Sequence, residues 1–259
     1  MASKAKDGIV ETIKTVVWAL LIAGVFRTLF YQPFWIPSGS MKDTLLIGDF
    51  LFVNKMAYGY SRYSCPFSAC PITGRLFSAE PQRGDVVVFR HPANGADFIK
   101  RLIGLPGDTV QVKDGIVYIN GVAAPQTPAG NFEEIKERQG SQGGMPRCAN
   151  DPVGQGGICI KQRFIETLPN GVRHDVLNIA NTAADNTPVF TVPAGHYFFM
   201  GDNRDNSQDS RFAVTTGGVG MLPAEYLIGR ADRIMFSSAG RSLFFFWTWR
   251  PDRFFKAVE

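Results

Sequence analysis

The 259-residue sequence predicts a mainly β, antiparallel protein behind one N-terminal apolar helix. Three observations carry that expectation. Glycine (27) and proline (16) lie well above their usual combined share of roughly 12%. Short runs of β-branched and aromatic residues recur between Gly, Pro and Asp breakers. One stretch near the N-terminus is apolar enough for a membrane helix, and nothing comparable follows it.

The apolar stretch comes first. VVWALLIAGVF (16–26) is too short alone to cross a bilayer, and a run of that size also fits a buried helix or the core of a cleavable signal. Extended to Thr15–Tyr31 it carries a single charge, Arg27, near one end, where a long side chain can reach the interface beside Phe30 and Tyr31. The chain continues RTLFYQPFWIP, without the small residues of a cleavage site, so the segment is expected to stay attached as an anchor. Lys4, Lys6 and Lys14 precede it and only Lys42 falls in the twenty residues after it, which puts the N-terminus in the cytoplasm. The expected division is therefore 1–14 cytoplasmic, 15–31 transmembrane and 32–259 on the far side.

Strands are expected in GDFLFVNKM (48–56), DVVVFR (85–90), DFIKRLIG (97–104) and DTVQVKDGIVYING (108–121). The last holds Asp114-Gly115 between alternating runs, a hairpin signal. KQRFIETLPNGVRHDVLNI reads as a second hairpin turning at Pro169-Asn170-Gly171, and VFTVPAGHYFFMGD adds two short strands. Residues 122–158, rich in Gly, Pro, Gln and Asn with little periodicity, read as a loop-rich insertion. At the C-terminus, RSLFFFWTWRPDRFF is too short to span, and fits either core packing or an aromatic seat on the lipid surface.

Composition excludes several function classes. Net charge is only +4 and the basic residues are scattered, so no electrostatic stripe for nucleic acid is expected. With three histidines, no CxxC and no HExxH, neither a metal site nor a cofactor is expected. Four cysteines suit an oxidising compartment. Three pairings are formally possible, and the spacing favours the local ones, Cys65 with Cys70 and Cys148 with Cys159.

Chemistry has three candidate sources. Just after the anchor, Ile36-Pro37-Ser38-Gly39-Ser40-Met41 places two hydroxyls in a tight bend; such serines often only form turns, and a nucleophilic one needs a base. His91, His174 and His196 have no recognisable triad context. Lys100 lies in FIKRLI, where strand alternation sets it on one face with Phe98 and Leu102. Such an apolar face would lower its pKa, unless the strand is an edge and the amine reaches water. Lys42 is expected to be exposed, with an ordinary pKa. Finally, GDNRDNSQDSR (201–211) has no aliphatic side chain; Ser210 and Thr216 stand where a calcium loop needs Gly and Glu, so it reads as a hydrogen-bonded scaffold.

Taken in order, IPSGSM behind an uncleaved anchor, GDFLFVNKMAYG, RGDVVVF, FIKRLIGLPGD and GDNRDNSQDSR followed by LIGRA resemble bacterial type I signal peptidase, and the short anchor with SRYSCPF resembles its alphaproteobacterial forms. The resemblance runs from about Trp18 to Ala231, with no matching block in 122–195. It implies the antiparallel β catalytic domain of that family, held in the inner membrane by a single pass and facing the periplasm, with preprotein signal peptides and the bilayer as partners. It implies Ser40 as nucleophile and Lys100 as general base of a serine endopeptidase. Ser38 Oγ and the Ser40 N–H would form the oxyanion hole, and Ser207 would orient the Lys100 amine. Arg101, Asp202, Asp209 and Arg211 would support the dyad, and Ile36, Met41, Phe98 and Ile99 would line substrate subsites. The family often has proline where this chain has Asp43. The alternatives are a self-cleaving Ser-Lys repressor, which the anchor disfavours, and a nonenzymatic tethered scaffold.

Overall fold

The computed structural model describes residues 2–259 except 66, 67, 69, 141, 142 and 241–244, with side chains described from Gly8 onward. Helix α1 spans Ala2–Leu29. Its Gly8–Leu29 part has a mean hydropathy of 1.9 and no buried residue in that window, so it meets the length and composition of a membrane span. The helix stops two residues before the expected boundary, because Tyr31 already opens strand β1, Tyr31–Trp35. Phe26 packs its ring against Phe30 and Tyr31, and Tyr60 Oη donates to the Leu29 carbonyl, so helix and β-domain meet through aromatic contacts.

Strands β2 (Asp49–Asn54), β3 (Val86–Arg90) and β4 (Asp97–Gly104) follow. Then come β5 (Thr109–Lys113), β6 (Ile116–Ile119), β7 (Val122–Ala123) and β8 (Gln126–Ile135). The last group is β9 (Ile158–Thr167), β10 (Arg173–Asn178), β11 (Phe190–Thr191), β12 (His196–Met200), β13 (Leu222–Pro223) and β14 (Leu227–Ser237). A seven-stranded antiparallel sheet runs β1-β2-β14-β3-β4-β12-β13, a four-stranded sheet β11-β5-β6-β7, and a three-stranded ribbon β10-β9-β8.

The apolar runs of β3 and β4 are explained by burial on both faces. Val86 and Val88 join Ile36, Met41, Leu51 and Ile99 on one side, whereas Val87 and Phe89 join Leu102, Phe199 and Leu227 on the other. A third cluster around Val110, Val117 and Phe198 fills the junction with the four-stranded sheet. The Asp114-Gly115 turn has positive φ at both residues (47° and 77°), the conformation of a two-residue hairpin, and joins β5 to β6 as expected.

Residues 122–158 are a correction. Ten of them form β8, which pairs antiparallel with β9. The strand was hidden because Pro128 and Gly130 interrupt it, its register shifts between Pro128 and Asn131, and much of it is exposed, leaving no apolar alternation to read. Its partner lies across a long loop, where short-range hairpin signals do not reach.

Both local disulfides are present, Cys65–Cys70 and Cys148–Cys159, the latter next to the β8–β9 ribbon. Closing a loop of eleven residues contributes roughly 3 kcal/mol. Peptide mapping of unreduced protein is expected to recover these two links; four free thiols, or crossed links, would contradict the pairing. In the C-terminal stretch, Leu243 and Phe244 lie outside the described residues, as do Pro66 and Phe67 of SRYSCPF. Phe246 and Trp247 are 67% and 69% exposed, so core packing does not account for them, while Trp249 meets Phe236 edge-on at 4.9 Å.

Candidate active site

Two segments distant in sequence meet at Ser40 and Lys100. The bend Ser38–Lys42 follows β1; Lys100 stands in the middle of β4. Lys100 Nζ lies 2.6 Å from Ser40 Oγ and donates to the Ile99 carbonyl at 3.0 Å. Both side chains are buried, with residue exposures of 7% for Ser40 and 4% for Lys100. Phe98 covers the amine, its ring centre 5.5 Å from Nζ. Pairing of β4 with β3 on one side and β12 on the other makes it an interior strand, so the amine cannot leave by a sheet edge.

Burial brings the Lys100 pKa down to about 8; Asp209 and Asp202 pull it back up, and Arg211 pushes it down again. The neutral amine is therefore accessible near neutral pH, and in that form it can accept a hydrogen bond from the Ser40 hydroxyl across the same short contact.

The loop 201–211 supplies the shell. Arg101, on the face of β4 opposite Lys100, grips Asp202 through two bonds of 2.9 and 2.8 Å, and Thr44 Oγ1 donates to the same carboxylate at 2.6 Å. Arg211 holds Asp209 likewise at 2.9 Å through both nitrogens, and the Gly201 N–H donates to Asp209 at 3.1 Å. Burial would raise both carboxyls, but the facing guanidinium outweighs it and keeps each below the ordinary range. Both carboxylates thus stay anionic beside Ser40 and Lys100.

Several participants escaped the sequence reading. Asn203 N–H donates to the Ser40 carbonyl at 3.0 Å and its Nδ2 to the Gly39 carbonyl at 2.8 Å, fixing the bend at Ser40. Arg204 forms a buried two-bond pair with Glu166 of β9, and His174 Nε2 sits 3.3 Å from Glu166. Asn203 and Arg204 stood inside a recognised block, but Glu166 and His174 lie in hairpin strands where nothing local marks them. His174 is buried and its pKa pushed down by desolvation. His91 uses both ring nitrogens on backbone groups, Nε2 donating to Gly218 O and Nδ1 accepting from Ala93 N–H, so it serves a turn.

Three expectations are corrected. Ser207 does not bond Lys100: its Oγ is buried beside the Asp209 carboxylate, while the amine turns to Ser40 and the Ile99 carbonyl instead. Ser207 still abuts the site, since a Cβ on Gly201 would fall 2.2 Å from its Oγ and 2.6 Å from the Ser40 carbonyl. Ile36, Met41 and Ile99 do not present open walls; they pack together in the core beneath the bend, and only Phe98 of the four is partly exposed. Lys42 is not exposed: it is buried, and its Nζ bonds Glu134 at 2.5 Å and Gln139 at 2.7 Å. Ser38 is exposed beside Ser40, and the Ser40 N–H has no protein acceptor among the described residues. Among the described residues no His, Cys, Asp and Glu cluster suits a metal ion.

The family model described as signal peptidase, peptidase S26, matches residues 9–236. Signal peptidase I of Rickettsia typhi is 39% identical over 246 residues, covering 91% of this chain and 83% of the relative; that of Rickettsia massiliae is 40% identical over 232 residues, covering 86% and 77%. A solved signal peptidase I from Enterococcus faecalis is 30% identical, covers 59% of this chain and 97% of its own, and has a TM-score of 0.31. With a family match over most of its length and relatives of this similarity, the chain belongs to the signal peptidases of peptidase family S26, a family of serine peptidases.

Proposed function

We propose that the chain is a membrane-anchored endopeptidase that cleaves signal peptides from exported preproteins with Ser40 as nucleophile and Lys100 as general base. The observation that carries this reading is the buried contact of 2.6 Å between Ser40 Oγ and a lysine amine whose pKa is lowered to about 8. Neutral Lys100 takes the hydroxyl proton as Ser40 Oγ attacks the scissile carbonyl. The oxyanion that develops is received by the Ser40 N–H and the exposed Ser38 hydroxyl, groups that gain their acceptor only as charge appears. Protonated Lys100 then gives its proton to the departing amine, and the acyl-enzyme is released when Lys100 deprotonates a water. Asp202 and Asp209, kept anionic by Arg101 and Arg211, stabilise the lysinium between these steps.

The helix Gly8–Leu29 supplies the anchor, and the lysines ahead of it favour a cytoplasmic N-terminus, which leaves the β-domain in the periplasm next to substrates still in the bilayer. Because Ile36, Met41 and Ile99 fill the floor beneath Ser40, little depth remains for a substrate side chain. Alanine or glycine is expected at the first and third residues before the cut. Mass-spectrometric mapping of one purified preprotein tests function and specificity together. Cleavage at such a site by the wild type, and none by Ser40→Ala, is expected. Efficient cleavage after Phe or Leu contradicts the specificity, and an active Ser40→Ala contradicts the nucleophile.

A further inference from the structure

The nucleophile bend is gripped from two sides, and only one grip belongs to the loop 201–211. On the other side Lys42, two residues after Ser40, reaches into the β8–β9 ribbon. Glu134 of β8 accepts from Lys42 at 2.5 Å, from Gln139 Nε2 at 2.7 Å and from Lys161 of β9. Gln139 Oε1 in turn accepts from Lys42 at 2.7 Å. Lys42 and Lys161 are almost wholly buried, so this carboxylate gathers two desolvated ammonium groups. Desolvation raises the Glu134 carboxyl, but Lys42 and Lys161 overcome it and keep it anionic.

The cluster touches the bend itself. A Cβ on Gly39 would lie 3.1 Å from Lys42 Cε and 3.6 Å from Nζ, so the lysine stem lies flat against the residue preceding Ser40. Lys42 N–H donates to the Gly39 carbonyl at 3.3 Å, closing the turn. The next residue is tied to the same ribbon, Asp43 pairing with Arg163 of β9 at 3.2 Å. Lys42 and Asp43 are thus both pinned to this ribbon, in which Cys159, disulfide-linked to Cys148, stands directly opposite Glu134. Lys42 has no bond to Ser40 Oγ; its amine is spent on Glu134 and Gln139.

We infer that Glu134, acting through Lys42, is a positioning residue for the nucleophile: the ribbon fixes the Gly39–Lys42 turn so that Ser40 Oγ and N–H are aimed at the substrate carbonyl. This rests on the Ser40–Lys100 reading. Small displacements of a nucleophile cost on the order of 100-fold in rate, and supporting partners of a site typically carry 10–100-fold. The burial of Lys42 also replaces the expectation of an exposed side chain.

The test uses the full-length chain in detergent micelles with a signal-peptide substrate, comparing wild type with Glu134→Gln, Lys42→Met and Lys42→Arg. Thermal midpoints are recorded alongside kcat, KM and the pH profile. Positioning predicts that Glu134→Gln and Lys42→Met lower kcat about 10- to 100-fold at saturating substrate, with KM changed less than about threefold and the pH midpoint retained. Lys42→Arg, which keeps the charge for Glu134, recovers a substantial part of the loss. Wild-type kcat in both neutralised variants overturns the proposal and leaves the Ser40–Lys100 reading standing, as does a loss of rate that follows the unfolded fraction. Disappearance of the pH midpoint in Lys42→Met overturns the reading on which the proposal rests, and the proposal with it.

Discussion

Lys100→Met is expected to abolish peptide cleavage while leaving a folded protein. A lysine with its ordinary pKa of about 10.4 offers only about one neutral amine in a thousand near pH 7.4. Lowered to about 8 it offers roughly one in five, so the site gains on the order of 200-fold in active base before geometry is counted. Methionine keeps an unbranched stem beside Phe98 but has no basic nitrogen to accept the proton. The stability effect has a definite sign. The folded lysine holds its proton less tightly than the unfolded one, so folding is penalised wherever the unfolded chain is protonated. That penalty is complete below about pH 8 and fades as pH rises toward 10.5. Its size is about 3 kcal/mol at the upper limit. The methionine variant is therefore expected to unfold at no lower temperature than wild type near neutral pH. A clearly lower midpoint would show that the amine is a net structural contributor.

The second large effect is structural. Arg101→Leu removes both guanidinium bonds to Asp202 and leaves that carboxylate with Thr44 and a neighbouring His174. Breaking a buried pair from one side costs about 3–5 kcal/mol, which for a chain of this size lowers the unfolding midpoint by roughly 6–20 °C. Here too pH supplies a check. In wild type the Asp202 pKa is held below its unfolded value, so its contribution is present above the unfolded pKa and is lost as pH falls through the folded one. Without Arg101, burial instead pushes the carboxyl up, and acid relieves the variant by protonating it. The gap in midpoint between the two proteins should narrow in acid. A gap of less than about 1 kcal/mol at neutral pH, or one that widens in acid, would show that the pair is not what holds this shell together.

Much of the site was readable because its chemistry is written in short, contiguous words. The alternation in FIKRLI put Lys100 and Arg101 on opposite faces, and the structure keeps them there, one amine toward Ser40 and one guanidinium toward Asp202. Asp114-Gly115 announced its hairpin because only a few residues tolerate two consecutive positive φ values. What stayed hidden was non-local. Lys42 looked solvated because its acidic partner lies 92 residues away, in a strand whose Pro128 and Gly130 disguise it. Glu166 was equally silent: a charged residue in a hairpin strand is ordinarily surface, and only the return of Arg204 from the loop after β12 turns it into a buried pair. The resemblance implies Ile36 and Met41 as subsite walls, whereas in the fold both side chains turn into the core.

The assignment of Lys100, not Lys42 and not a histidine, to remove the Ser40 proton has a definite pH signature. Its most direct test is the pH dependence of signal-peptide turnover by wild type, Lys100→Met and Lys42→Met, measured side by side from roughly pH 6 to 10. With Lys100 as the base, the wild-type rate is expected to rise with pH through a single group titrating near 8. The same assignment gives no turnover by Lys100→Met at any pH, and a slower Lys42→Met enzyme with the wild-type midpoint. Turnover surviving in Lys100→Met, or a wild-type rise centred near the histidine value of about 6.5, would contradict it.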